Sequence, residues 1–305
     1  MDNRSVMHPG IKLRHVRAFL DIAAEGGMSA VARAQGVTQP ALSRTLAELE
    51  ALLGQPLFLR QGRRLVLTEA GALFRRHASA GLQALETGAA ALRPGAGGTI
   101  RVGVLPTVAT RFFPLVVLRF RALRPDVRLA VETGPHFYLM RLLREGDIDL
   151  MVGRLPGASE IAGLTFEHLY EEEVVLVARA GHPLAGRAAA EVLGQAPLIL
   201  PPETALIRRQ VDDYLASVGF AGQRPAVETA SLALGRGICL ASDAVWLISR
   251  GVVAEELERG ILTVFPLGAR SLSGAVGLTR RQVASPAGLA TLEEVARQIG
   301  QGWAP

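Results

Sequence analysis

The run Gly36-Val37-Thr38-Gln39-Pro40-Ala41-Leu42-Ser43-Arg44-Thr45-Leu46-Ala47-Glu48-Leu49-Glu50 constrains this chain more than any other. A glycine and a β-branched residue make a tight turn. Thr38 then stands where a helix N-cap belongs, and Pro40 falls in the first helical turn, where its missing N–H costs least. Leu42, Leu46 and Leu49 recur at helical spacing and bury one face. Thr38, Gln39, Ser43 and Arg44 fill the opposite, polar side. A helix fixed at its start, polar on one side and anchored by leucines on the other, has the form that enters a DNA major groove.

The flanking segments supply the rest of such a unit. His15 to Glu25 places Val16, Phe19, Leu20, Ile22 and Ala23 on one stripe, and Gly26-Gly27 ends that helix. Ser29 is expected to cap a short second helix, Ala30 to Ala34, that stops at Gly36. Leu53-Gly54 signals the end of the third helix. Leu57 to Arg60 and Leu65 to Leu67 read as two strands around a turn with Arg63 and Arg64. A hairpin tipped with two arginines is the wing of a winged helix-turn-helix, suited to phosphates or a minor groove. Residues 1–76 hold eleven Lys/Arg against six Asp/Glu, leaving twenty-two of each in the remainder. The whole formal excess therefore sits where counterion release would use it.

Phe19, the Gly36–Ser43 run, Leu49-Glu50, Leu53-Gly54, Leu57 to Arg60 and Leu67-Thr68-Glu69-Ala70-Gly71 together resemble the signature of LysR-type transcriptional regulators. Length and order of parts are similar to that family throughout the chain. The resemblance implies base and phosphate contacts at Thr38, Gln39, Pro40, Ser43 and Arg44, plus the wing. It also implies an antiparallel homodimer through the helix that follows, with dimers pairing into tetramers; RNA polymerase is a further candidate partner. Gln35 and Val31 depart from the pattern, standing where the family has leucine and alanine.

Thr68 is expected to cap a helix from Glu69 to about Leu92, some ~36 Å long at ~1.5 Å per residue. Leu73, Phe74, Gly81, Leu85, Gly88 and Leu92 lie near one stripe, which a second copy of the chain would cover. Residues 93–98 then break the helix as a hinge. Beyond Thr99, apolar strands alternate with helices, the pattern of parallel sheets covered on both faces. Strands are expected at 100–105, 127–131, 148–153, 174–177, 198–200, 226–229, 238–240, 261–265 and 274–278. A closing helix is expected at 286–299. Two α/β units joined by crossings resemble a periplasmic-binding-protein-like domain with a ligand cleft between them. The expected division is a winged helix-turn-helix over 1–68, a linker helix and hinge over 69–98, and an effector-binding domain over 99–305. Within the last, subdomain I covers about 99–172 and 273–305, and subdomain II about 173–272.

Strand ends supply the cleft candidates. Thr107 and Val108 follow the first strand at a helix start, a place for an anion. Pro202 and Thr204 hold the matching place in the second unit, and Glu203 there opposes an anion unless it points away. Arg154 ends a strand and is suited to grip a carboxylate in two-point fashion. His136 and Thr229 complete the set. Val102 to Thr107, Val152 to Leu155, Phe166 to Tyr170 and Arg179 to Leu184 resemble the family branch that senses aromatic-degradation intermediates, including protocatechuate-pathway regulators. That resemblance implies carboxylate contacts at Thr107 and Arg154 and an organic-acid effector. Pro135 after Gly134 replaces a threonine donor of those relatives.

Several chemistries find no support. The six histidines (8, 15, 77, 136, 168 and 182) show no ligand spacing, so no metal or cofactor is expected. No nucleophile elbow or phosphate loop is present, which argues against an enzyme. Glu171-Glu172-Glu173 reads as a solvated crossing segment, and Asp147 and Asp149 lie near a strand start away from the cleft. Cys239, the single cysteine, sits in an apolar run and reads as a buried thiol in a reducing compartment. With no signal-peptide pattern and no apolar run of ~20 residues, the expected location is the cytoplasm, without a membrane partner. The alternative, a solute-binding protein for uptake, is opposed by the N-terminal helices.

Overall fold

The leucine spacing of residues 42–49 dictates a three-helix core in the first part of the chain. The computed structural model describes residues 8–61, 64–91, 98–268, 272–283 and 285–303. Helices α1 (Leu13–Glu25), α2 (Met28–Gln35) and α3 (Gln39–Leu53) are followed by strands β1 (Phe58–Gln61) and β2 (Arg64–Leu67) and helix α4 (Glu69–Ala91). Leu42, Leu46 and Leu49 are buried with Phe19, Ile22 and Val31. Phe19 meets the rings of Phe58 and Phe74, tying α1 to the hairpin and to α4. Gly36 ends α2 with φ 65°, a left-handed conformation that a side chain resists.

Two local expectations need correction. Gly27, not Ser29, is the N-cap of α2, and it offers no side-chain hydrogen bond. The chain turns one residue after Gly26, so Ser29 already lies inside the helix and its hydroxyl serves another helix. Along α4, Leu73 and Leu85 are exposed, whereas Phe74 packs on the N-terminal core. The start of α4 is as expected: the Thr68 hydroxyl accepts the Gly71 N–H at 2.8 Å. A Cβ at Gly71 would stand 2.1 Å from the Leu57 carbonyl, so glycine is needed for helix and hairpin to approach. Of the hinge expected at 93–98, residues 93–97 lie outside the described residues.

The remaining elements form one nine-stranded sheet with flanking helices. In order they are β3 (Thr99–Val104), α5 (Pro106–Ala109), α6 (Phe112–Leu123), β4 (Arg128–Thr133), α7 (His136–Glu145), β5 (Leu150–Arg154) and β6 (Leu164–Arg179). There follow α8 (Ala189–Gln195), β7 (Leu198–Leu200), α9 (Leu206–Ser217), β8 (Val227–Glu228), α10 (Leu232–Ala241), β9 (Val245–Ser249) and α11 (Arg250–Glu258). The last three are β10 (Leu262–Phe265), β11 (Leu272–Arg281) and α12 (Leu289–Gln301). The sheet order is β4-β3-β5-β11-β6-β9-β7-β8, with β10 also on β6. By compactness the chain divides into residues 1–94 with 144–147, and residues 95–143 with 148–305.

Parallel pairing holds only at the two ends of the sheet, β4-β3-β5 and β9-β7-β8. Between them β11 and β6 run antiparallel to their neighbours, because these long strands carry the chain from one half to the other and back. Two hydrophobic cores result. The first gathers β3, β5, α6 and the returning α12; the second gathers β7, β9, α9 and α10. The strand expected at 238–240 is instead the end of α10, which Ser231 caps by accepting the Leu234 N–H at 3.3 Å. A short apolar run fits a buried helix as well as a strand. The true strand, β9, is buried at every position. Glu171–Glu173 lies within β6, a crossing strand in which Glu171 and Glu173 are exposed as expected, but Glu172 is only 3% exposed.

Candidate functional site

Thr38 adopts the extended conformation of a cap and accepts the Ala41 N–H at 3.4 Å, fixing the start of α3. Gln39, Pro40, Ser43 and Arg44 are exposed, as is Thr38 itself. The leucines of the same helix are buried behind them, so the polar face stands toward solvent. The Ser29 hydroxyl lies 3.1 Å from Gln39 Oε1 and donates to it, so the carbonyl end of that amide is engaged. Gln35, the departure from the family pattern, donates to Asp21 and so links α2 to α1 at the surface. Glu50 accepts the N–H groups of Leu57 and Phe58 at 2.7 and 3.2 Å, fastening α3 to the hairpin. Arg64 is exposed at the start of β2. Arg63 lies outside the described residues.

Between the two cores of the sheet lies a cleft of about 460 Å³. Thr107, His136, Arg154, Pro202, Thr204 and Thr229 all line it. Val108 does not: it is 2% exposed and packs in the first core. Its N–H and that of Ala109 are already donated to the Leu105 carbonyl, so the expected row of free donors at α5 is shortened. Glu203 lines a neighbouring cavity that shares Arg154 and Thr204 with this cleft, and does not line the cleft itself. Most of the wall is apolar, from Leu105, Pro106, Pro135, Phe137, Ile207, Leu232 and Ile248. Ser231 also lines it and was not expected; its role as a helix cap was the only signal available.

Arg154 is the positive group of the cleft. It is 5% exposed at the end of β5, donates through Nη2 to the Glu172 carbonyl at 2.9 Å, and through Nη1 to Gln210 at 3.3 Å. Its Nε is buried without a hydrogen-bond partner among the described residues. Burial lowers the guanidinium pKa, and the fields of Glu172, Tyr170 and Glu171 oppose that shift. A Cβ at Gly274 would fall 2.1 Å from Nη1, so that glycine opens the space the guanidinium occupies. His136 is 5% exposed, with Nε2 3.3 Å from Glu160. Burial lowers its pKa and Glu160 raises it in part. Among the described residues no cluster of His, Cys, Asp or Glu fits a metal ion, and no helix is long and apolar enough to cross a membrane.

Residues 13–72 match the family described as bacterial regulatory helix-turn-helix protein, lysR family, and residues 93–299 match the LysR substrate binding domain. The chain belongs to the LysR family. It is 38% identical over 281 residues to the HTH-type transcriptional regulator PcaQ of Agrobacterium fabrum, covering 90% of each chain. The fold is similar to a full-length OxyR variant from Pseudomonas aeruginosa, with TM-score 0.73, 24% identity, and 96% and 95% of the two chains covered. It is also similar to full-length CbnR complexed with its target DNA, with TM-score 0.54, 21% identity, and 95% and 100% covered. This LysR-family chain is therefore a transcriptional regulator with a DNA-binding helix-turn-helix and an effector-binding domain, not an enzyme. The helix-turn-helix match argues against a solute-binding protein for uptake.

Proposed function

We propose that a small organic acid binds in the cleft between the two cores, with its carboxylate on Arg154, and adjusts how the regulator engages its operator. The observation that carries this reading is a buried arginine, with one nitrogen unpartnered, in a mostly apolar cleft. An apolar body with one or two acid groups suits such a wall, and a charged arginine favours two-point contact with a carboxylate. Thr107, His136, Pro202, Thr204 and Thr229 complete the binding surface in this reading. DNA is read through Thr38, Gln39, Pro40, Ser43, Arg44 and the wing arginines Arg63 and Arg64. The working division is 1–68, 69–98 and 99–305, with RNA polymerase met at the promoter.

Self-association belongs to the same proposal. Leu73 and Leu85 are half exposed or more on α4, and an exposed apolar helix face favours a partner helix. A second copy is the partner proposed, giving a dimer that pairs again.

The test has two arms. Thermal shift with benzoate, 3,4-dihydroxybenzoate, muconate and succinate reads the effector: one of them stabilises the wild type, and Arg154→Ala loses that gain. Equal stabilisation of both proteins removes Arg154 from the site. A salt-dependent mobility shift on DNA upstream of the regulator's own gene reads the helix. An unchanged shift with Gln39→Ala and Arg44→Ala removes α3 as the reading element.

A further inference from the structure

The buried carboxyl of Glu172 has no part in the proposed ligand contacts, yet it lies where the two cores are joined. Glu172 sits on β6, the long crossing strand, opposite Gly274 of β11. Its backbone carbonyl receives Arg154 Nη2 at 2.9 Å, and its side-chain Oε1 receives the Gly251 N–H at 2.8 Å. Gly251 lies in the first turn of α11 in the second core. A Cβ there would stand 3.1 Å from the Glu172 carboxylate, a tight approach. The Gly251 carbonyl in turn lies 3.3 Å from the Thr110 hydroxyl, which is also 2.8 Å from the carbonyl of Thr107. Two cleft residues, Arg154 and Thr107, are thus connected to the start of α11, one through Glu172 and one through Thr110.

We propose that Glu172 is a positioning residue that couples the charge on Arg154 to the start of α11, so that an anion on Arg154 promotes protonation of Glu172 and weakens its hold on that helix. The inference rests on the reading of Arg154 as the effector's anchor.

A glutamine also accepts an N–H, more weakly than a carboxylate does, and carries no charge to desolvate. An ionisable group in this place bears a cost of burial that a neutral one avoids. Burial raises the Glu172 pKa; the Gly251 N–H and the positive charges of Arg154 and Arg111 draw it back, and Glu173 pushes it up. Tyr170 stands in the fields of both Glu172 and Arg154. Neutralising Arg154 removes one of the influences that keep the carboxylate ionised. A protonated carboxyl is a weaker partner for a helix N-terminus than a carboxylate. The signal therefore reaches α11 without any contact between ligand and helix.

The experiment is carboxyl-carbon NMR of the full chain labelled at glutamate, with Glu172 assigned by its absence in Glu172→Gln. Glu172 is expected to titrate above the ordinary carboxylate range, and higher again by about one pH unit or more in Arg154→Gln, since a charge is lost beside it. Arg154→Lys, which keeps the charge, is expected to restore most of the difference, whereas a merely structural role predicts that both variants behave alike. Identical titration of Glu172 in wild type, Arg154→Gln and Arg154→Lys overturns the proposal. If Arg154→Gln does not fold, wild type saturated with the stabilising acid takes its place. A shift in Arg154→Gln with no acid bound by the wild type supports the coupling and removes the effector chemistry. An acid that binds through Arg154 while Glu172 titrates unchanged does the reverse.

Discussion

Arg154 depends on a residue without a side chain. Its guanidinium fills the space beside Gly274, where a Cβ would come within 2.1 Å of Nη1. Gly274→Ala is expected to displace the guanidinium and weaken binding of the stabilising acid about tenfold or more, a loss of ~1.4 kcal/mol, read by calorimetry. Unchanged affinity means the arginine has room to move aside. A second small residue acts at the other end of the chain. Ser29 occupies the carbonyl end of the Gln39 amide. Adenine is read by glutamine through both ends of its amide, whereas a lone donor suits guanine or thymine acceptors. Ser29→Ala is therefore expected to shift the preferred base pair opposite Gln39 toward A·T, by ~1 kcal/mol in discrimination, with little change in affinity for unrelated DNA. Operator selection from a randomised pool reads this, and an unaltered preference sinks it. Gln39 was legible in the sequence because its place in the helix is local. Gly274 and Ser29 were not, because each acts on a partner in a different element of the chain.

Elements succeed or fail by their ends. Helix α3 begins at Thr38, whose hydroxyl meets the Ala41 N–H. Thr38→Ala is expected to cost ~1 kcal/mol of stability in denaturant unfolding, the usual value of a lost cap. A change under ~0.3 kcal/mol would mean the cap contributes little beside the packing of the three leucines. The same local chemistry made α3, the hairpin and α4 readable from residue types and spacing. It failed at α10 and β9. There the apolar run ending at Leu240 suits a strand by composition but belongs to a helix, and the cap at Ser231 is the better guide. Within Glu171 to Glu173 only Glu172 departs from expectation, and for a different reason. Three acids in a row suit a solvated loop by composition, but β6 passes between two cores, and alternation along the strand turns Glu172 inward beside Arg154 and α11.

At the scale of the molecule, the second unit is built around a single sheet with two cores, and Cys239 lies in the second of them. The thiol is fully buried, and burial raises its pKa to about 11. As the chain's only cysteine, it is also a unique reporter of opening. Reaction with a thiol reagent at pH 8 is expected to follow unfolding of that core, slowing in step with any acid that stabilises the protein. Fast reaction in the folded state would mean that α10 opens on its own.

What the sequence determined by itself was everything set by neighbours in the chain: the capped α3 with its polar face, the order of helices, hairpin and linker, and the alternation of strands and helices beyond Thr99. Caps, turns and apolar periods act within a few residues, so they can be read without coordinates. Only the tertiary structure decided which strands run antiparallel, that Val108 faces a core and not the cleft, that Gly274 makes room for Arg154, and that Glu172 is buried between them and α11. Those outcomes depend on crossings that bring residues 154, 172, 251 and 274 together, and no local pattern encodes a meeting across so much chain.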